Sequence, residues 1–157
     1  MKYGYILLWP HGFHHKDEIM TKISEKYKII YHNNFKIDDL ENFVILLYAK
    51  ENKAHIQNKT KFLLNNNKSG QIYLYIFENE ENDIIRYGKI KKSKKVEELK
   101  INIRNLYNPK LSNPYQRIMP LNIGVSHDHV IHSTDLSIEV PNICKLLKLD
   151  YEQICSK

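Results

Sequence analysis

The stretch Gln71 to Glu78 constrains the fold more than any other. It places Ile72, Leu74 and Ile76 on one side and Tyr73, Tyr75 and Phe77 on the other. A period of two marks a strand. Large apolar side chains on both sides mean that neither faces water, so this strand belongs in the middle of a sheet with a covering layer on each face. The chain has 157 residues, of which 42% are hydrophobic. That is enough to cover both faces of one small sheet, and the expectation is a single domain spanning 1–157.

The segments around this strand supply the layers. Tyr3 to Trp9 is short, apolar and rich in aromatic and β-branched residues, as a buried first strand is, and Pro10-His11-Gly12 ends it. Trp9 reads as a core residue. Lys16 to Tyr27 carries Ile19, Met20 and Ile23 on one helical face, and Lys28 to Phe35 reads as a second strand. Asp38 or Asp39 would cap a helix bearing Leu40, Phe43, Val44, Leu47 and Tyr48. Lys53 to Leu64 predicts another helix, closed by the polar run Asn65 to Gly70. Ile84 to Ile90 predicts one short strand and Lys94 to Arg104 a helix, while the prolines of Asn108 to Pro120 predict a loop. Val125 to Ile131 reads as a final strand or a loop, and Pro141 to Cys155 as a closing helix with Cys144 packed in its apolar stripe. The order predicts an α+β fold, an antiparallel sheet covered by helices.

No apolar run approaches the length needed to cross a bilayer, so no membrane partner is expected. Cys144 and Cys155 match no metal-binding spacing, and a reduced, cytoplasmic location follows as the default. The formal net charge is +6, with Lys89, Lys91, Lys92, Lys94, Lys95 and Lys100 crowded in one segment. Such a Lys89–Lys100 segment is either a solvated loop or a patch that attracts phosphates, on nucleotides or on nucleic acid.

The richest chemistry lies between Gly124 and Asp135, where His127, His129 and His132 surround the apolar pair Val130-Ile131 and are joined by Ser133, Thr134 and Asp135. Groups that exchange protons near neutral pH are concentrated here. His132 reads as a nucleophile, a metal ligand or a core histidine. His127 and His129 alternate, so on a strand they would share a face and, with His132, would serve a metal-dependent hydrolase. No cysteine or glutamate stands at a matching spacing, and no metal site is assigned. His11, His14 and His15 follow the first strand and read as an exposed loop.

Two stretches resemble nucleoside diphosphate kinases. Trp9-Pro10-His11-Gly12 stands where that family has a Lys-Pro-Asp-Gly turn after its first strand, and His129-Val130-Ile131-His132-Ser133-Thr134-Asp135 where it has Asn-Ile-Ile-His-Gly-Ser-Asp around its catalytic histidine. The order of elements between them matches, with Ile85-Arg86-Tyr87-Gly88-Lys89 in place of the family's strand ending in Gly-Arg and Ile103-Arg104 in place of its Ile-Arg-Gly-Asp-Phe stretch. The resemblance implies a ferredoxin-like fold and a phosphotransferase in which His132 carries a phosphoryl group from a nucleoside triphosphate to an acceptor. It also implies magnesium (Mg2+) with the triphosphate, a homo-oligomer, and nucleotide contacts from Tyr48, His55, Lys89, Arg104, His129 and Thr134. Trp9 replaces a cation that touches the transferred phosphoryl, His129 an asparagine and Ser133 a glycine; the glutamate that orients the family's histidine has no clear match, Glu139 being the nearest glutamate after His132. A binding module for nucleotide or nucleic acid, without turnover, is the alternative, and a hydrolase using His127, His129 and His132 a third.

Overall fold

The computed structural model describes residues 1–49, 53–66, 70–108 and 129–155. Four strands, β1 (Tyr3–Leu8), β2 (Ile29–Lys36), β3 (Gln71–Glu78) and β6 (Ile131–Ser133), form an antiparallel sheet in the order β2-β3-β1-β6. β3 is internal, as its two apolar faces require, and they bury into two separate clusters. Ile72, Leu74 and Ile76 join Tyr5, Leu7, Trp9, Phe43, Val44 and Ile143 on one side. Tyr75 and Phe77 join Ile6, Leu8, Ile19, Ile23, Val96 and Ile103 on the other.

Helices α1 (Lys16–Ser24) and α4 (Lys94–Tyr107) supply apolar residues to the second cluster, and α2 (Leu40–Leu47), α3 (Lys53–Asn66) and α5 (Val140–Leu146) to the first. Asp39 is the cap of α2, its Oδ1 accepting from the Asn42 backbone N–H at 3.0 Å. The result is the α+β arrangement anticipated from the element order, with the ferredoxin-like fold that the resemblance implies.

Several boundaries differ from the sequence expectation, each for a local reason. The first helix stops at Ser24 rather than Tyr27, because Tyr27 turns away to stack on Phe77 with ring centroids 4.6 Å apart. Ile84 to Ile90 is not one strand. It is part of a hairpin of β4 (Ile84–Tyr87) and β5 (Ile90–Ser93), in which Tyr87 pairs with Ile90 across Gly88-Lys89. Gly88 has φ +62°, the left-handed backbone that a two-residue hairpin turn demands of its first position.

The closing helix is two, α5 and α6 (Tyr151–Cys155). Lys148 has φ +57°, its N–H donates to Lys145 O at 3.2 Å and that of Leu149 to Cys144 O at 2.8 Å, the paired bonds that terminate a helix. The final strand begins at Ile131 and so contains His132, instead of stopping before it. The remainder of the expected Val125–Ile131 strand or loop, and the loop from Pro109 to Pro120, lie outside the described residues.

Candidate active site

The site is built where β1 and its following turn meet β6. The turn, a 3-10 segment over Pro10–His15, is held by Trp9 N–H donating to Val130 O at 2.8 Å. Gly12 allows the approach: a Cβ there would come within 3.0 Å of the Val130 side chain. Three successive carbonyls leading to His132 each take a donor from a different element. Lys59 Nζ of α3 donates to His129 O at 3.3 Å, Trp9 N–H to Val130 O, and Arg104 Nη2 of α4 to Ile131 O at 3.1 Å. Asn108, just beyond α4, accepts from the Val130 N–H at 2.9 Å and places its amide nitrogen 2.9 Å from His129 Nδ1. The segment entering His132 is therefore fixed from three sides.

His132 pairs opposite Leu7 and projects with Tyr5 and Leu7 toward the α2 side of the sheet. Its half-buried ring lies 5.9 Å from that of Tyr5 and 4.8 Å, edge-on, from that of Tyr48, the residue that ends α2. The imidazole thus has a phenol ring on two sides. Burial, followed by the charge of Glu139, raises Tyr5 well above an ordinary phenol, so Tyr5 stays protonated at neutral pH. Glu139 stands at the foot of the site, where its Oε1 accepts from the backbone N–H groups of Asp135 (2.9 Å) and Leu136 (3.1 Å).

The residues anticipated from sequence are placed unequally. Tyr48 meets His132, and Arg104 and His129 flank the strand that carries it. Thr134 is buried with its hydroxyl on the backbone of Tyr5, accepting from the N–H at 3.3 Å and facing the carbonyl at 3.5 Å. Lys89 is exposed in the Gly88-Lys89 turn, at the end of the hairpin opposite Ser93, whose N–H binds Asp135 O at 3.0 Å. No contact among the described residues brings Lys89 to His132. His55 falls within α3, and its side chain lies outside the described set, as does His127.

Two other expectations change. His11 is not exposed: it is half-buried, its ring edge-on to Phe62 of α3 at 5.1 Å. The lysine-rich segment is a hairpin strand and a helix start rather than a solvated loop, and part of its charge is paired. Lys92 and Lys100 are paired to Glu97 at 3.4 and 2.6 Å, and Lys92 also to Asp135 at 3.7 Å, while Lys91, Lys94 and Lys95 are exposed. Among the described residues no three His, Cys, Asp or Glu side chains gather to hold a metal ion, and no helix is long and apolar enough to cross a membrane. Cys144 is buried, and burial pushes its thiol up to about 11.

Sequence reasoning passed over Tyr5, Asn108 and Lys59. Lys59 carried a signal: it occupies the apolar stripe of α3 between Ile56 and Leu63, where a charge is out of place. Asn108 carried none, because its partner lies 21 residues away.

No protein-family model and no curated protein matches the chain. Solved structures do. The nucleoside diphosphate kinase of Encephalitozoon cuniculi is similar with a TM-score of 0.56 at 11% identity, over 96% of this chain and 91% of that one. That of Aquifex aeolicus gives 0.52 at 14% identity, over 92% and 93% of the two chains. A nucleoside diphosphate kinase family protein of Babesia bovis gives 0.52 at 16% identity, over 93% and 87%. Over nearly its whole length, the chain has the nucleoside diphosphate kinase-like fold.

Proposed function

We propose that the protein is a histidine phosphotransferase. A ring nitrogen of His132 attacks the terminal phosphorus of a nucleoside triphosphate, the bond to the bridging oxygen breaks, and the nucleoside diphosphate leaves. An acceptor oxygen then attacks the phosphorus, the N–P bond breaks, and the imidazole returns to its starting state. The observation that carries this reading is the half-buried His132 ring on β6, beside Tyr5 and Tyr48, on a chain with this fold.

The chemistry needs a nucleophile held in line and cations on the phosphates. The donors on the carbonyls of 129, 130 and 131 hold the strand that presents the ring. Arg104 and Lys59 place positive charge on either side of that strand. Tyr48, edge-on to the imidazole, restricts its rotation. Asp135, a carboxylate beside the site, is engaged by Lys92. Magnesium would therefore come in on the triphosphate's own oxygens, where it would neutralise charge.

Incubation with a γ-labelled nucleoside triphosphate and magnesium should leave acid-labile, alkali-stable phosphate on the chain, and His132→Ala should abolish it. A native protein that takes no label from any common triphosphate removes the reading. A binding module without turnover is the second reading, favoured by one observation: Trp9, with no charge to offer a phosphoryl group, stands at the turn beside the site. It is distinguished by nucleotide affinity that is retained without any labelling of His132.

A further inference from the structure

Asn108 follows α4, and its side chain reaches the segment that enters His132. Its Oδ1 accepts from the Val130 backbone N–H at 2.9 Å, and its Nδ2 lies 2.9 Å from His129 Nδ1. The first contact decides the second. A backbone N–H can only donate, so the amide oxygen is the atom that faces Val130, and the NH2 group is the one that faces His129. An NH2 group also can only donate. His129 Nδ1 therefore receives with its lone pair and carries no proton. The single ring proton sits on Nε2, at the other edge of the imidazole.

The same contact opposes a charge on the ring. A proton on Nδ1 would set one N–H against another, and the amide cannot turn over without abandoning Val130. The charged neighbours act in the same sense. Lys59 Nζ from α3 lies 3.3 Å from the His129 carbonyl, and Arg104 from α4 donates to the carbonyl of Ile131. The titratable groups of β6 and of the turn after β1, His132 and His11, add no negative charge. Ending α4 does not need this side chain, because the helix is capped by the Asn108 backbone N–H, which donates to Arg104 O at 2.9 Å.

We infer that Asn108 is a positioning residue that locks His129 in the uncharged Nε2–H tautomer, so that this half-buried ring offers a nucleotide oxygen one N–H donor. The lock also separates the two histidines chemically. His129 has no nitrogen with which to attack phosphorus, since the lone pair of Nδ1 is engaged by Asn108 and Nε2 bears the proton. Phosphoryl transfer is thereby left to His132. The contact with a nucleotide rests on the phosphotransferase reading; the tautomer lock does not.

The test is two-bond 1H–15N NMR of the histidine rings in the 15N-labelled whole chain, with the His129 signals assigned by their loss in His129→Gln. Wild-type His129 should show an unprotonated Nδ1 and a protonated Nε2. It should titrate about one unit or more below the ordinary histidine value of about 6.5. Asn108→Asp presents only acceptors, so it should reverse the tautomer to Nδ1–H and raise the midpoint above that of the wild type. An asparagine that merely braced the chain would leave both readings where they are. Magnesium-free ADP should shift the wild-type Nε2–H signal and should bind His129→Leu about threefold to tenfold more weakly. A protonated Nδ1 in the wild type, or a midpoint that is not lowered, overturns the lock. If Asn108→Asp does not fold, the wild-type spectrum decides alone. An Nε2–H signal that ADP does not move overturns the nucleotide contact. A locked ring in a chain that takes no label from triphosphates would uphold the lock while removing the phosphotransferase reading.

Discussion

Cys144 shows how far a single residue's setting decides its chemistry. Its thiol sits in the apolar cluster with Val140, Ile143 and Leu147, and burial lifts it to about 11. At pH 8 only about one thiol in a thousand is then ionised, and the thiolate is the reactive form. Native protein treated with iodoacetamide at pH 8 should therefore show no alkylation of Cys144 by mass spectrometry, and full alkylation in urea. Modification of the native protein would contradict the packing. The apolar pattern Ile143-Cys144-Lys145-Leu146-Leu147 already pointed to an inert cysteine. Lys59 is the opposite case. Its position in an apolar stripe was visible, but its partner, the carbonyl of His129, lies 70 residues away in the chain.

At the scale of elements, what the sequence concealed was mostly where one element stops. The run from Pro141 to Cys155 has helical periodicity throughout, yet Lys148 adopts φ +57° and splits it. A lysine in left-handed backbone is strained, and a glycine is not. Lys148→Gly should therefore stabilise the protein by about 0.5–1 kcal/mol, read as a rise in the urea midpoint at constant slope. A fall would mean that Lys148 makes a compensating contact. The hairpin of β4 and β5 was hidden in a similar way. In the sequence Gly88 reads as part of a motif, whereas its physical role is the turn itself. By contrast β3 was legible residue for residue, because both of its faces are apolar and its ends are polar.

Across the whole molecule, one ionic network ties the hairpin, α4 and the segment after β6 together. Glu97 binds Lys100 at 2.6 Å and Lys92 at 3.4 Å, and Lys92 reaches Asp135 at 3.7 Å. Burial alone would raise the Glu97 carboxyl, but the hydrogen bond and charge of Lys100, aided by Lys92, outweigh it and hold the pKa below the usual value. A carboxylate with a depressed folded-state pKa contributes stability above its unfolded pKa of about 4.3, and that contribution is lost as pH falls through the folded value. Stability measured by urea titration should thus fall more steeply from pH 5 to pH 3 in the wild type than in Glu97→Gln. Equal slopes would show that the pair contributes nothing to folding.

The α+β class, the central strand and the location of the histidine-rich segment were determined by the sequence, since periodicity and composition are local properties. The tertiary structure alone brought Tyr5 to His132 and Lys59 to the segment before it, whereas Tyr48 and Arg104 were already implied by the family resemblance. Tyr5, Tyr48, Lys59 and Arg104 come from β1, α2, α3 and α4, and chain separation says nothing about which side chains an antiparallel sheet and its covering helices bring into contact. The lysine segment makes the same point: its charge was plain in the sequence, but only folding set Glu97 and Asp135 against it.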